Sequence, residues 1–296
     1  MQLRNRLMKR ALRLVVSAES TLQRGVTACL AGLGRLRNRL HQTAYVVKNR
    51  SSVLLEVPVA ACIGPLGFSF GHEGWHHLLD LLREYDQDPS LCPEESALSR
   101  FYERYQPSSM AELPEHTGYV PQFRPAFFEY PWGNFRLDYD PEISKKKNQE
   151  RSRFCGPASE WRLHSDFDQT IRLYKQIRRT GYRPWRYGFI GGVLLRRANG
   201  EERFVVLEGN HRLAVLARLG AKRVWVSFLE GFYHVLSESD VDQWYFVRTG
   251  ACTVADALAY FNAFFELNGQ ERLVKLRLRD ARVPPERKRR CDQTER

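Results

Sequence analysis

The sequence predicts an α+β protein, and three observations support this class. Between about Ser159 and Phe228 a long helical pattern is followed by a pair of extended runs, a short helical pattern and a further strand. Hydrophobic residues make up 43% of the chain and aromatic residues 12%, which is enough apolar surface for a globular core. The length of 296 residues suits one large domain or two ordinary ones. Helices and a hairpin that follow each other in one segment indicate a compact α+β unit with a small mixed sheet.

Four segments differ in composition along the chain. They are a basic amphipathic helical arm at 1–50, a helical and irregular extension at 51–149, an α+β domain with C-terminal helices at 150–270, and a basic flexible tail at 271–296. In the arm, leucine and alanine recur at three- and four-residue spacing, as in a helix with one apolar face. Proline, glycine and aromatic residues without periodicity predict an ordered but irregular connector over 106–157.

Local signals predict the individual elements. Pro58 places a strand over Ser52–Ala60 at a sheet edge, Asn199-Gly200 is a type I′ hairpin signal, and Pro184 favours an extended chain. Helices are expected over about 73–85, 93–105, 159–180 and 210–219, and two more follow the last strand, capped by Ser237 and by Thr253.

The positive charge is concentrated at the two ends of the chain. Residues 1–50 carry eleven basic residues against Glu19, and residues 271–296 carry ten against five acids. Since the net charge of the whole chain is +12, residues 51–270 are slightly acidic. The basic ends suit an anionic membrane surface or nucleic acid, or an arm docked on its own protein with a solvated basic face. No apolar run reaches the ~20 residues of a membrane span, and six scattered cysteines suit reduced thiols in the cytoplasm.

The junction between the strand at 203–207 and the helix at 210–219 has the residues of a phosphate-binding turn. A glycine lets the backbone turn, and the first N–H groups of a helix favour an anion. In this turn Asn210 can cap the helix, His211 can donate a hydrogen bond, and Arg212 can bind a phosphate through two nitrogens. Glu208 places a carboxylate beside them. Glu208 is suited to hold Mg²⁺ or to take a proton from an attacking hydroxyl. The same residues also fit an ordinary turn in which His211 and Arg212 pair with core carboxylates.

The run from about Trp161 to Phe228 resembles the ParB/sulfiredoxin superfamily. The resemblance rests on a helix that ends RRTGYRP, a hairpin, and the stretch EGNHRLAVLARLG (residues 208–220) before a strand, and it covers about a quarter of the chain. In that family this turn binds the phosphates of ATP or CTP. The resemblance implies nucleotide binding, with Mg²⁺, by Gly209, Asn210, His211, Arg212 and Arg162. Glu208 and His211 are the candidate catalytic residues.

Departures from the subfamilies narrow this expectation. Sulfiredoxins carry their catalytic cysteine where this chain has Asn210, so sulfinate reduction is not expected. Chromosome-partitioning ParB proteins continue with a helix-turn-helix module, whereas the residues after Phe228 are rich in aromatic side chains typical of a core. The motif is closest to that of ParB-like free-serine kinases and differs at Asn210. The catalytic acid of those kinases lies upstream, and the candidates here are Glu160, Asp166 and Asp168.

A second motif, His72-Glu73-Gly74-Trp75-His76, has the HExxH spacing of zinc peptidases. In those enzymes a helix presents both imidazoles on one face, and the glutamate is the general base. Here Gly74 interrupts the motif, and no third ligand is identified beyond the downstream residues Glu94, Glu95, Glu103 and His116. The alternative is a helix start with Trp75 packed inward. A metalloprotein is therefore a remote alternative.

The leading expectation is a cytoplasmic bacterial protein, free or peripheral at the inner membrane face, that binds ATP or CTP with Mg²⁺. Its reaction would be phosphoryl transfer to a small hydroxyl compound, or nucleotide hydrolysis. The alternative from another class is a non-enzymatic, nucleotide-responsive adaptor that binds DNA or an anionic membrane through its two basic ends, above all through residues 1–50.

Overall fold

The computed structural model describes residues 54–106, 130–133, 158–229 and 234–278. The predicted basic arm, most of the predicted connector and residues 279–296 lie outside these ranges. None of the helices formed by the described residues is long and apolar enough to cross a membrane.

The described residues form both helices and strands, in consecutive runs of each, which confirms the α+β class. The strands are β1 (Leu54–Pro58), β2 (Cys62–Ile63), β3 (Ile190–Arg196), β4 (Glu202–Glu208), β5 (Arg223–Phe228) and β6 (Val235–Ser237). The helices are α1 (His77–Gln87), α2 (Ala97–Arg104), α3 (Glu160–Thr180), α4 (Pro184–Tyr187), α5 (Asn210–Arg218), α6 (Tyr245–Arg248), α7 (Val254–Glu266) and α8 (Gln270–Lys275).

The strands form one mixed sheet in the order β1-β5-β3-β4-β2, and β6 continues beside β3. The β1–β5 and β3–β4 pairs are antiparallel, whereas β5 and β6 run parallel to β3, and β2 runs parallel to β4. Strand β1 therefore lies at an edge of the sheet, as its proline predicts, because Pro58 cannot donate a backbone hydrogen bond to a second neighbour.

Both faces of the central strands are covered. On one face, Val193, Leu195 and Val205 pack into an aromatic cluster. The cluster gathers side chains from residues 130–133 and from the C-terminal elements: Tyr130, Trp132, Trp244, Phe246, Tyr260, Phe261, Phe264 and Phe265. The aromatic residues after β5 are therefore mainly core, as expected. Since side chains alternate along a strand, Leu194 and Phe204 point to the other face, where α5 lies against β3 and packs on α1 and α3.

Helix α3 matches its prediction closely. Ser159 caps it by accepting a hydrogen bond from the Arg162 N–H, and it ends at Gly181, whose φ is 72°. The positions expected to face the core, Phe167, Ile171, Tyr174 and Ile177, are all buried. This agreement follows from a strong local cap and a regular apolar stripe.

Two turn predictions were wrong. Pro184 begins the one-turn helix α4 instead of an extended segment, because its fixed φ also suits the first position of a helix. The β3–β4 connection is not a type I′ turn, which needs a positive φ at both central residues, because Gly200 has a φ of 86° and Asn199 does not have a positive φ. The Asn199 Oδ1 instead accepts from the Glu201 N–H at 2.9 Å, and the Gly200 N–H donates to the Arg197 carbonyl.

Other boundaries differ at helix ends. The helix expected to start near Glu73 begins at His77, and the helix expected after Ser237 divides into a 3-10 segment, Glu238–Gln243, and α6. Thr253 caps α7 as predicted. The range predicted as a flexible tail from 271 onward instead opens with most of α8, in which Arg272 and Leu273 are buried. A third C-terminal helix therefore joins the two that were expected.

Candidate phosphate-binding site

The backbone between β4 and α5 turns at Gly209, whose φ of 92° and ψ of 23° lie in the left-handed region. Gly209 is also the N-cap of α5, and no side chain caps the helix there. The prediction that Asn210 caps this helix was therefore wrong, because Asn210 is already its first residue. The N–H groups of the first turn of α5 have no acceptor within the helix and lie at the positive end of its dipole.

Arg212 lies folded over this turn. Its Nη1 donates to the Tyr187 carbonyl at 2.5 Å, and its guanidinium also interacts with the Tyr182 hydroxyl. Burial raises the pKa of Tyr182, and the Arg212 charge partly opposes that rise. Among the residues that the structure describes, no carboxylate forms an ion pair with Arg212. The alternative of an arginine neutralised by a core carboxylate is therefore not seen in the described part of the chain.

Two glycines make room for the Arg212 guanidinium. A Cβ atom at Gly188 would lie 2.6 Å from Nη1, and one at Gly209 would lie 2.9 Å from Nη2. Both glycines also have a positive φ, 80° and 92°. A side chain at either position would thus displace the guanidinium and strain the backbone.

His211 points away from Arg212, toward α3. Its Nδ1 lies 2.7 Å from Thr170 Oγ1, and Thr170 Oγ1 in turn donates to the Asp166 carbonyl at 2.6 Å. Since the threonine proton is used in that second bond, the histidine Nδ1 is the donor in the first. This leaves Nε2 directed toward Asp166, with Oδ1 at 3.7 Å. Thr170 is fully buried and held by its bond to the Asp166 carbonyl, so its contact with Nδ1 fixes the orientation of the imidazole.

The Asp166 carboxylate belongs to the same cluster. It accepts a short hydrogen bond from the Tyr102 hydroxyl, and Arg162 Nε lies 3.4 Å from Oδ2. The Arg162 guanidinium also lies over the Tyr102 ring, 5.5 Å from its centroid. Burial and the Asp166 charge raise the pKa of Tyr102, so the phenol stays protonated. His211, Asp166, Arg162 and Tyr102 together form a partly exposed polar cluster beside α5.

Asn210 points in a third direction, toward buried histidines. Its Oδ1 is buried and has no hydrogen-bond partner among the described residues. A Cβ atom built at Gly64 would lie 4.0 Å both from this oxygen and from His76 Nε2, which places both groups close to that glycine. Burial, helped by His211, lowers the pKa of His76 to about 3, and burial also holds the pKa of His77 well below its usual range. Both imidazoles are therefore neutral.

Glu208 ends β4 with an exposed side chain, beside Gly191, where the register of the β3–β4 pair shifts. Of the three upstream acids, Asp166 lies beside His211, whereas Glu160 lies near His164 and Asp168 is exposed. Of these three acids, Asp166 is therefore the one that lies beside a residue of the turn.

The HExxH residues do not form one helical face. Residues 71–74 form a turn, residues 75–76 belong to no helix, and α1 begins only at His77. His72 is 87% exposed, whereas His76 is buried and its Nδ1 caps α1 by accepting from the Leu78 N–H. The two imidazoles therefore lack the arrangement that a zinc peptidase needs.

Several residues of this region were not found by sequence reasoning. Thr170 and Tyr102 reach the site from helix faces that look like ordinary core, and Tyr182 and Gly188 come from the loops around α4. The RRTGYRP stretch was a usable signal for Tyr182, because a tyrosine beside a predicted arginine site can hydrogen-bond to it. Comparison of the chain with known protein families found no matching family, and comparison with curated proteins found no similar protein.

Proposed function

We propose that this protein binds a nucleoside triphosphate, ATP or CTP, with Mg²⁺ at the β4–α5 turn, and that it transfers a phosphoryl group to a small hydroxyl compound or to water. The observation that carries the proposal is Arg212. This half-buried cation is held by a backbone carbonyl between two glycines, beside an uncapped helix N-terminus, and is not paired with a described carboxylate.

The phosphate would be held by two kinds of donor. The N–H groups of Asn210, His211 and Arg212 point outward from the first turn of α5, and the Arg212 guanidinium retains donors beyond those used on Tyr187 and Tyr182. Charge-assisted hydrogen bonds from an arginine to phosphate oxygens are stronger than neutral ones. Arg162, from the start of α3, would add a second cation on the side of the polar cluster.

Glu208 is the residue that would hold Mg²⁺. Its side chain is exposed at the end of β4, next to the proposed phosphate position. Mg²⁺ in nucleotide sites is commonly held by one or two carboxylates together with phosphate oxygens and water, so a single glutamate fits this role. The bound ion would offset the negative charge of the phosphates during the reaction.

In the proposed reaction, the hydroxyl oxygen of the acceptor forms a bond to the terminal phosphorus while the bond to the bridging oxygen breaks, leaving the nucleoside diphosphate. The acceptor proton passes to a carboxylate, Asp166 or Glu208. Arg212 and the helix N-terminus stabilise the negative charge on the transferred group. His211, whose Nδ1 is held by Thr170, would accept a proton at Nε2 and relay it toward Asp166.

Calorimetric titration with ATP, ADP, CTP and GTP, each with Mg²⁺, tests the proposal. We expect wild-type protein to bind one of them and Arg212→Ala to bind it at least about tenfold more weakly, since a lost charge-assisted bond costs roughly 1.5–3 kcal/mol. Arg223→Ala, which removes a positive charge from the exposed start of β5, is the matched control and should bind like wild type. Absence of binding to every nucleotide would refute the proposal, and equal binding by wild type and Arg212→Ala would refute the location.

A further inference from the structure

A second group of side chains lies where the start of α3 meets the segment before α2. Glu160 and His164 are one helical turn apart on α3, and Glu94 lies in the 3-10 turn Pro93–Glu95. One ligand atom from each of the three residues lies within 4.8 Å of the other two. Because successive residues of a helix are rotated by about 100° about its axis, Glu160 and His164 lie on a different face of α3 from Asp166 and Thr170. The group is therefore separate from the β4–α5 turn.

The contacts within the group place an imidazole nitrogen between two carboxylates. His164 Nε2 lies 2.7 Å from Glu94 Oε1 and 3.9 Å from Glu160 Oε1. The distance from His164 Nε2 to Glu94 Oε1 is that of an ion pair, but these two atoms do not form a hydrogen bond. The Nε2 atom is also shielded from solvent. His164 Nε2 is therefore a shielded nitrogen without a hydrogen-bond partner among the described residues, although a carboxylate oxygen lies close to it.

The turn that carries Glu94 is held firmly. Ser96 Oγ donates to the Pro93 carbonyl at 2.6 Å, and Arg100 Nη1 donates to the Glu95 carbonyl at 2.6 Å. Glu84, from α1, accepts from the Ala97 N–H at 2.6 Å and pairs with Arg100. Two helices thus fix the position from which Glu94 faces α3, and a site built on it would need little ordering to bind a ligand.

We infer that Glu94, Glu160 and His164 form a binding site for a divalent transition-metal cation such as Zn²⁺. Two carboxylates and a neutral imidazole supply two negative charges and a nitrogen donor, a set that suits Zn²⁺ better than Mg²⁺ or Ca²⁺, which prefer oxygen ligands. Zinc binds such atoms at about 2.0–2.2 Å, so three ligand atoms within 4.8 Å of one another can share one ion after small side-chain shifts. The side chains are partly exposed, which leaves a fourth position for water.

Zinc titration of the full-length, tag-free, metal-stripped protein, without nucleotide, tests this inference. Wild-type protein should bind one Zn²⁺ per chain, and Glu94→Gln, Glu160→Gln and His164→Ala should each weaken zinc binding by more than about tenfold. Loss of a residue that only hydrogen-bonds to a metal ligand already weakens metal binding by about tenfold or more, so loss of a ligand itself should weaken it further. Glu95→Gln removes the same charge one residue away, and His72→Ala removes an exposed imidazole, so both should bind zinc like wild type.

The thermal midpoint gives a second measurement. Zinc should raise the Tm of wild type but not that of Glu160→Gln, whose side chain is 86% exposed and whose replacement leaves the core intact. Absence of zinc binding by wild type, unchanged binding in the three ligand variants, or loss of binding in His72→Ala would each overturn the inference. Because no nucleotide is present, these outcomes do not depend on the proposed function of Arg212.

Discussion

Three neighbouring residues of the β4–α5 turn face three different surroundings. Asn210 lies near Gly64, His211 faces Asp166 and Thr170 of α3, and Arg212 faces the carbonyl of Tyr187. At the start of a helix, successive side chains diverge by about 100°, so a short motif can supply an amide, an imidazole and a guanidinium to separate positions. The predicted residues therefore do not converge on one point. Their shared feature is the set of backbone N–H groups at the helix start.

At the residue scale, the buried histidine predicts a pH dependence of stability. The pKa of His76 is lowered from 6.5 to about 3 on folding, so the unfolded chain binds the proton that the folded protein excludes. Stability is therefore fully present above about pH 6.5 and is lost as the pH falls toward 3, by about 1.4 kcal/mol per pH unit for this group. His76→Gln should reduce the slope of unfolding free energy against pH in this window, measured by chemical denaturation.

The control for this prediction is His72→Gln. The His72 side chain is 87% exposed, so its replacement should leave the slope at the wild-type value. Equal slopes for His76→Gln and wild type would contradict the assignment of a neutral buried imidazole at position 76.

At the scale of elements, the turns between the helices and strands position the candidate site more than the helices and strands themselves do. Helix α3 and helix α7 follow from their caps and apolar stripes: α3 was predicted with nearly the observed bounds, and α7 with its observed cap, Thr253. The turn around Pro184 and the hairpin around Gly200 were predicted with the wrong geometry, since a proline or an Asn-Gly pair is compatible with more than one turn. Tyr187, whose carbonyl holds Arg212, lies in such a connection.

Gly209 and Gly200 both lie in turns that connect two elements, and they differ in what surrounds them. Both have a positive φ, 92° and 86°, but a Cβ at Gly209 would meet Arg212, whereas a Cβ at Gly200 would meet nothing within 4 Å. Alanine at either position should cost about 1–2 kcal/mol of unfolding free energy, because an L side chain is strained in this conformation. Gly209→Ala should cost more, and it should also weaken nucleotide binding at the proposed site.

Chemical denaturation and calorimetry of the two variants separate these effects. A loss of stability in Gly209→Ala no larger than in Gly200→Ala, together with unchanged nucleotide affinity, would show that the Arg212 position is not sensitive to the turn.

At the scale of the whole molecule, the charge of the chain lies outside its described core. Eleven basic residues belong to 1–50, and seven more follow Leu278. Residues 51–270 are slightly acidic, so the described sheet and helices do not carry the overall charge of +12. We propose that the arm provides an anion-binding surface that acts separately from the turn at Gly209.

Truncation tests this proposal. Binding of the full-length protein to a labelled DNA duplex, followed by fluorescence anisotropy, should weaken steeply with salt, with a slope of about −0.9 for each phosphate contacted. Removing residues 1–50 should flatten the slope more than removing 279–296, because the arm carries the larger net charge. A slope that does not change on removing the arm would contradict the proposal, and a matched titration with anionic vesicles would then test binding to membranes.

The amino-acid sequence by itself determined the α+β class, the long capped helix α3, the edge position of β1, the aromatic core after β5 and the glycine turn between β4 and α5. These features depend on contacts between residues close in the chain, or on a periodicity that one segment displays. The tertiary structure alone decided that Asp166 is the acid beside His211, that Arg212 lies between Gly188 and Gly209, and that Glu94 meets Glu160 and His164. Each of those contacts joins separate elements, and their distances follow from how helices pack on the sheet, which no local pattern encodes.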